Sequence, residues 1–130
     1  FSDGWNEHLA FTMNYLMTKT PVGVAWRCFP DLNGVGRVFV GRYLLDATSL
    51  EDAQRRLTQY SFAAGHNHQL LELASGKLID LEVAPFGSVG EGAGTQADGV
   101  FVATPGRPHW HANSYNVVNA DDVGLPNSLA

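Results

Sequence analysis

The chain has 130 residues, which is one domain or a piece of a larger one. Its hydrophobic fraction of 45% and charged fraction of 16% exclude gross disorder, and a net charge of −5 excludes a general nucleic-acid binder, which needs a basic face. A single cysteine excludes an internal disulfide framework and a four-cysteine zinc site, and no apolar run approaches the roughly 20 residues of a membrane-spanning helix.

Phe1-Ser2-Asp3-Gly4 carries neither the basic region nor the apolar stretch of a signal peptide. This favours a soluble intracellular setting over a secreted one. Gly4-Trp5-Asn6-Glu7 reads as a turn. The apolar run Leu9-Ala10-Phe11-Thr12-Met13, closed by Asn14, predicts a strand near the rim of a site. Residues 18–36 are punctuated by Pro21, Gly23, Pro30, Asn33, Gly34 and Gly36 and predict a loop. In Arg37–Asp46 the positions Val38, Phe39, Tyr43 and Leu45 suggest a wide helical stripe, interrupted by Gly41.

Thr48-Ser49-Leu50-Glu51 fits a capping box, with Thr48 as N-cap and Glu51 three residues on. Leu50, Ala53 and Leu57 recur at helical spacing, and Arg55 and Arg56 follow Asp52 in the order that suits the helix dipole. The pattern predicts a helix over 49–60. Two strands, 66–73 and 78–83, flank Ser75-Gly76-Lys77 and predict a hairpin. In the second strand Ile79, Leu81 and Val83 share one face, and Asp80 and Glu82 the other. The stretch 85–99 holds five glycines but no Lys or Arg, which excludes a P-loop and suggests a surface loop. Val100–Thr104 predicts a short strand, Pro105-Gly106 a turn, and 119–130 an irregular tail. No internal repeat is present.

Two His-x-His pairs stand out, His66 with His68 and His109 with His111. On a strand each pair presents two imidazoles to one side, and four could bind zinc or another transition metal in a His-rich metal-binding module. The bland alternative is one histidine buried by hydrogen bonding and the others exposed. No metal and no cofactor is assigned. Cys28 lacks an identifiable base and reads as a structural cysteine. No Ser occupies a Gly-x-Ser-x-Gly elbow, and Asp121-Asp122 reads as a solvated turn. Asn14 and Asn113 are candidates of another kind. A side-chain amide can donate to a developing oxyanion, or can simply satisfy backbone groups, and these two readings stand even.

Gly4-Trp5-Asn6-Glu7-His8-Leu9-Ala10-Phe11-Thr12-Met13-Asn14 resembles the Gly-x-Asn-Glu-x-Gly-Leu segment, ending in Asn, of choloylglycine-hydrolase-like N-terminal-nucleophile enzymes. One glycine of that motif is missing, since His8 runs directly into Leu9. Arg42–Ala53 resembles the stretch leading into a helix in the same group. Gly65–Leu71 and Leu81–Pro85 resemble central strands of one branch, the family of acyl-CoA:6-aminopenicillanic acid acyltransferase and carcinine hydrolase-like proteins. His111-Ala112-Asn113-Ser114-Tyr115 is similar to that branch's Thr-Asn-His-aromatic segment, without its Thr and His.

The resemblance implies an α+β fold that is part of an αββα sandwich. It implies amide hydrolysis or N-acyl transfer on a small acyl-amine or acyl-CoA substrate, through an acyl-enzyme on an N-terminal cysteine freed by autoproteolysis. Asn113 then matches an oxyanion-stabilising asparagine, and Asn14 one that contacts oxyanion or substrate. The family's nucleophile lies upstream of the Gly-x-Asn-Glu segment, and Cys28 lies downstream of it. Residues 1–130 are therefore expected to form one partial domain, inactive alone and completed by another chain segment or a protein subunit. The alternative is an inactive structural or binding subunit of a larger complex that keeps this fold.

Overall fold

A computed structural model describes residues 3–16, 34–60, 62–83, 98–104 and 106–111, with side chains 98–101 outside the description. Five strands form one antiparallel sheet in the order β1-β2-β3-β4-β5. They are β1 (Asp3–Trp5), β2 (Leu9–Leu16), β3 (Gly65–Glu72), β4 (Leu78–Val83) and β5 (Asp98–Val102). Two helices, α1 (Arg37–Leu44) and α2 (Leu50–Thr58), lie between β2 and β3 in the chain. The architecture is mixed α+β. Among the described residues no helix is long and apolar enough to cross a membrane.

The core lies between the two helices and one face of the sheet. Period-2 alternation sends Leu9 and Phe11 of β2, Leu70 of β3, and Ile79, Leu81 and Val83 of β4 to that face. Val40 and Leu44 of α1 meet them with Ala47, Leu50, Ala53, Leu57 and Phe62. The α2 stripe is Leu50, Ala53 and Leu57, as its periodicity predicts. The α1 stripe differs from expectation. Val40 and Leu44 are buried, whereas Val38 and Phe39 stand exposed. An eight-residue helix places only one i, i+4 pair firmly inward, and here the packing partner selects Val40 and Leu44.

The α2 cap is one residue later than the sequence suggests. Ser49 is the N-cap, and its Oγ accepts from the Asp52 amide at 3.1 Å. Asp52 Oδ2 reaches back to the Thr48 amide at 3.2 Å. Two overlapping S/T-x-x-acid frames compete here, and the one containing Asp52 also engages Arg55 and Arg56. Arg56 joins the two helices: its Nε meets Asp52 at 3.0 Å, its Nη1 donates to the Tyr43 carbonyl at 3.0 Å, and its guanidinium lies 4.5 Å from the centre of the Tyr43 ring.

The segment read as a turn at Gly4-Trp5-Asn6-Glu7 is half strand. Asp3–Trp5 pairs with β2, and the turn itself is made by Asn6. Asn6 Oδ1 accepts from the amides of His8 at 2.7 Å and Leu9 at 2.8 Å, and Nδ2 donates to the carbonyls of Leu45 at 2.9 Å and Ala47 at 2.7 Å. One amide thus closes the β1–β2 turn and ties it to the connection between α1 and α2. Gly4 beside it packs against Phe11, whose Cζ would sit 2.7 Å from any Cβ at that position. The β3–β4 hairpin forms as predicted, with Gly76 at φ 70° in its turn.

Candidate functional site

The face of the sheet opposite the helices is polar. Register places Asn14, Asn67 and Glu82 in one row across β2, β3 and β4, and Thr12, Gln69 and Asp80 in the next. Such rows bring neighbouring Cβ atoms within about 5 Å of one another. The alternation that buries Leu70, Ile79 and Leu81 on one side puts these amides and carboxylates on the other. Asn67, Asp80 and Glu82 are nevertheless buried.

They are covered by residues 109–111, which cross this face. His109 Nε2 pairs with Asp80 Oδ2, and His111 Nε2 lies 2.6 Å from Glu82 Oε1. Asp80 Oδ1 also accepts from Asn67 Nδ2. Asn14 donates from Nδ2 to the carbonyl of His111 at 3.1 Å. A primary amide carries two N–H bonds, so this contact occupies one of them. Asn14 stays half-buried.

His66 and His68 lie on the helix-facing side, fully buried. Their ring centroids are 5.7 Å apart, with Phe62 and Tyr15 edge-on to His66 at 5.9 and 6.5 Å. Neither ring nitrogen of either residue has a hydrogen-bond partner among the described residues. Burial, assisted by the charge of Arg37, pushes the His66 imidazole down to about 4. Burial, assisted by His66, holds His68 well below the ordinary imidazole range. Both rings are neutral at pH 7.

The two His-x-His pairs are therefore on opposite faces of the sheet and do not form one four-histidine cluster. Among the described residues no group of three or more His, Cys, Asp or Glu is arranged to hold a metal ion. The picture of one buried histidine and three exposed ones is also corrected. His66 and His68 are buried, the His111 side chain is 1% exposed, and the His109 side chain is 19% exposed. Imidazole serves equally as an apolar plate and as a carboxylate partner, and this chain uses it both ways.

Of the two asparagine candidates, Asn14 sits on the polar face in contact with the His111 backbone. Asn113 and Cys28 lie outside the described residues. Sequence reasoning missed Asn6, Asn67, Asp80 and Glu82. The signal for the two carboxylates was present as equal spacing: Asp-x-Glu on β4 and His-x-His 29 positions further on, each with period 2.

The family model described as acyl-coenzyme A:6-aminopenicillanic acid acyl-transferase matches residues 1–116. No curated protein and no solved structure matches the chain.

Proposed function

The chain belongs to the acyl-coenzyme A:6-aminopenicillanic acid acyl-transferase family, and on that premise we propose that the protein carrying it transfers or hydrolyses acyl groups through an acyl-cysteine. The cysteine thiolate attacks the carbonyl of an acyl-amine or acyl-CoA. The C–N or C–S bond breaks, and the departing amine or thiol takes a proton. Water or an amine then attacks the thioester and regenerates the cysteine. In this reading the nucleophile is a cysteine other than Cys28, freed by autoproteolysis, and its α-amino group is the base. The sheet with α1 and α2 supplies one helical layer and one sheet of an αββα sandwich, and the second sheet packs on the polar side.

The observation that carries the proposal is the family match over residues 1–116, which contain both asparagine candidates. The contact between Asn14 and the His111 carbonyl supports it. Asn113 follows His111 by two residues, a covalent reach of about 7 Å. Side-chain amide donors suit an oxyanion, because they stabilise charge as it develops without titrating. Asn113 is assigned to the oxyanion, and Asn14 to the oxyanion or substrate.

The test is made on the whole protein that contains this chain. Incubation with butyryl-CoA and acid quenching should leave a butyryl adduct, visible by intact mass, on a cysteine other than Cys28. Cys28→Ala should retain turnover, and Asn113→Ala should lower kcat about 100-fold or more. Abolition of turnover by Cys28→Ala, or full activity in Asn113→Ala, would overturn the assignment.

A further inference from the structure

Asp80 and Glu82 stand two apart on β4, and His109 and His111 stand two apart on the segment that crosses it. They meet in the same order, Asp80 with His109 and Glu82 with His111. The Glu82 and His111 side chains are each 1% exposed, and Asp80 is 3% exposed. Asn67 of β3 secures the second oxygen of Asp80. His111 is thus held at its ring by β4 and at its carbonyl by Asn14 of β2.

Burying three ionisable side chains and half-burying a fourth is not the economical way to stabilise a sheet, since apolar residues of the same volume generally do as well or better. What paired polar groups supply is register. A one-residue slip of residues 109–111 turns both imidazoles away from β4, and a two-residue slip leaves one buried carboxylate without its histidine. An apolar contact carries no comparable penalty for misplacement.

We propose that Asp80 and Glu82 are positioning residues for acyl transfer: through His109 and His111 they fix the stretch of backbone that Asn14 bonds. The proposal rests on the acyl-transfer reading above. The carboxylates act at a distance from the reacting atoms, by setting where the chain at His111 lies. A displacement of about 1 Å in such a support can lower a rate on the order of 100-fold.

The experiment compares Glu82→Gln, Asp80→Asn and the double variant Glu82→Gln/His111→Gln with Asn113→Ala, all in the whole protein. The double variant replaces the carboxyl–imidazole pair by two amides that can still hydrogen-bond. Butyryl-CoA turnover is followed by thiol release. Deuterium uptake is followed in peptides covering 65–83 and 106–116. The expected result is a kcat lowered about 10- to 100-fold in each single variant with KM within about twofold. Uptake should be faster in 106–116 and unchanged in 65–83, and the double variant should recover most of the lost kcat.

Unchanged kcat in Glu82→Gln and Asp80→Asn, with Asn113→Ala impaired, would overturn the positioning role and leave the acyl-transfer reading standing. So would faster uptake throughout 65–83 with no recovery in the double variant, since the pairs would then only hold the sheet together. An unimpaired Asn113→Ala would overturn the acyl-transfer reading, and the positioning role with it.

Discussion

Asn14 Nδ2 lies 3.1 Å from the carbonyl oxygen of His111, a residue 97 positions further along the chain. This contact joins β2, the strand that follows the Asn6 turn, to the segment that precedes Asn113 in the chain. It brings two residues far apart within the family match to one place on the polar face.

Asn14→Leu keeps the γ-branched shape of the side chain and removes the amide. The His111 carbonyl loses its donor, so the fold is expected to lose about 1–3 kcal/mol. Turnover of butyryl-CoA by the whole protein is expected to fall by about 100-fold. Urea melts and steady-state kinetics on the same preparation check both. A stability loss with unchanged kcat would confine Asn14 to a structural role.

His66 gives the protein an acid limit. Its folded value, about 4, lies below the ordinary imidazole value of 6.5. Between these values the unfolded chain binds the proton and the folded chain does not, so stability rises with pH. His66 contributes no loss above pH 6.5. As pH falls from 6.5 to about 4 its contribution reaches about 3 kcal/mol of destabilisation, and His68 shifts in the same direction. Denaturant midpoints measured from pH 7.5 to 4 should show the slope, and His66→Phe should flatten it.

Two glycines are expected to resist substitution to different degrees. A Cβ on Gly34 would sit 2.4 Å from the backbone of Phe62 and Ala63, where Val35 bridges to Phe62. A Cβ on Gly4 would meet the Phe11 ring at 2.7 Å and Leu45 at 3.1 Å. Side chains shift more readily than backbone. Gly34→Ala should therefore cost about 3 kcal/mol or more, and Gly4→Ala about 1–3 kcal/mol. Thermal melts of the two variants side by side give the ranking, and the reverse order would contradict it.

The α2 cap separates two readings of one sequence. Ser49→Ala removes the oxygen that accepts from the Asp52 amide and should cost about 1 kcal/mol. Thr48→Ala should change stability by less than about 0.5 kcal/mol. Equal losses in the two variants would restore Thr48 as a cap.

The features legible in the sequence were those set by neighbours within a few residues. Leu50, Ala53 and Leu57 announce α2 because an amphipathic stripe repeats locally. Ser75-Gly76 announces the hairpin because Gly76 takes the positive φ its turn requires. β1 was hidden because Gly4 and Trp5 are extended only by virtue of pairing with β2. The side of the sheet taken by His66 and His68 was undetermined, since imidazole is at home in either environment and only the helices define the inside. The burial of Asp80 and Glu82 was invisible from β4 alone, because their cover arrives 29 residues later. Asn14 was legible as a candidate because it closes the apolar run Leu9–Met13, and its partner was not, being 97 residues away.

The alternation along β3 has a consequence for assembly of the fold. Within Gly65–Gln69 the chain switches at every residue between rings that face the helices and amides that face away. Were β3 to pair with β4 one residue out of step, Asn67 and Gln69 would enter the apolar layer beside Leu57 and Phe62. Asp80 would lose the amide that holds its Oδ1. A mispaired hairpin would thus bury unmatched polar groups on one side and turn Leu70 out on the other. The same four residues that give the sheet its two chemistries, His66, Asn67, His68 and Gln69, also proofread its strand pairing.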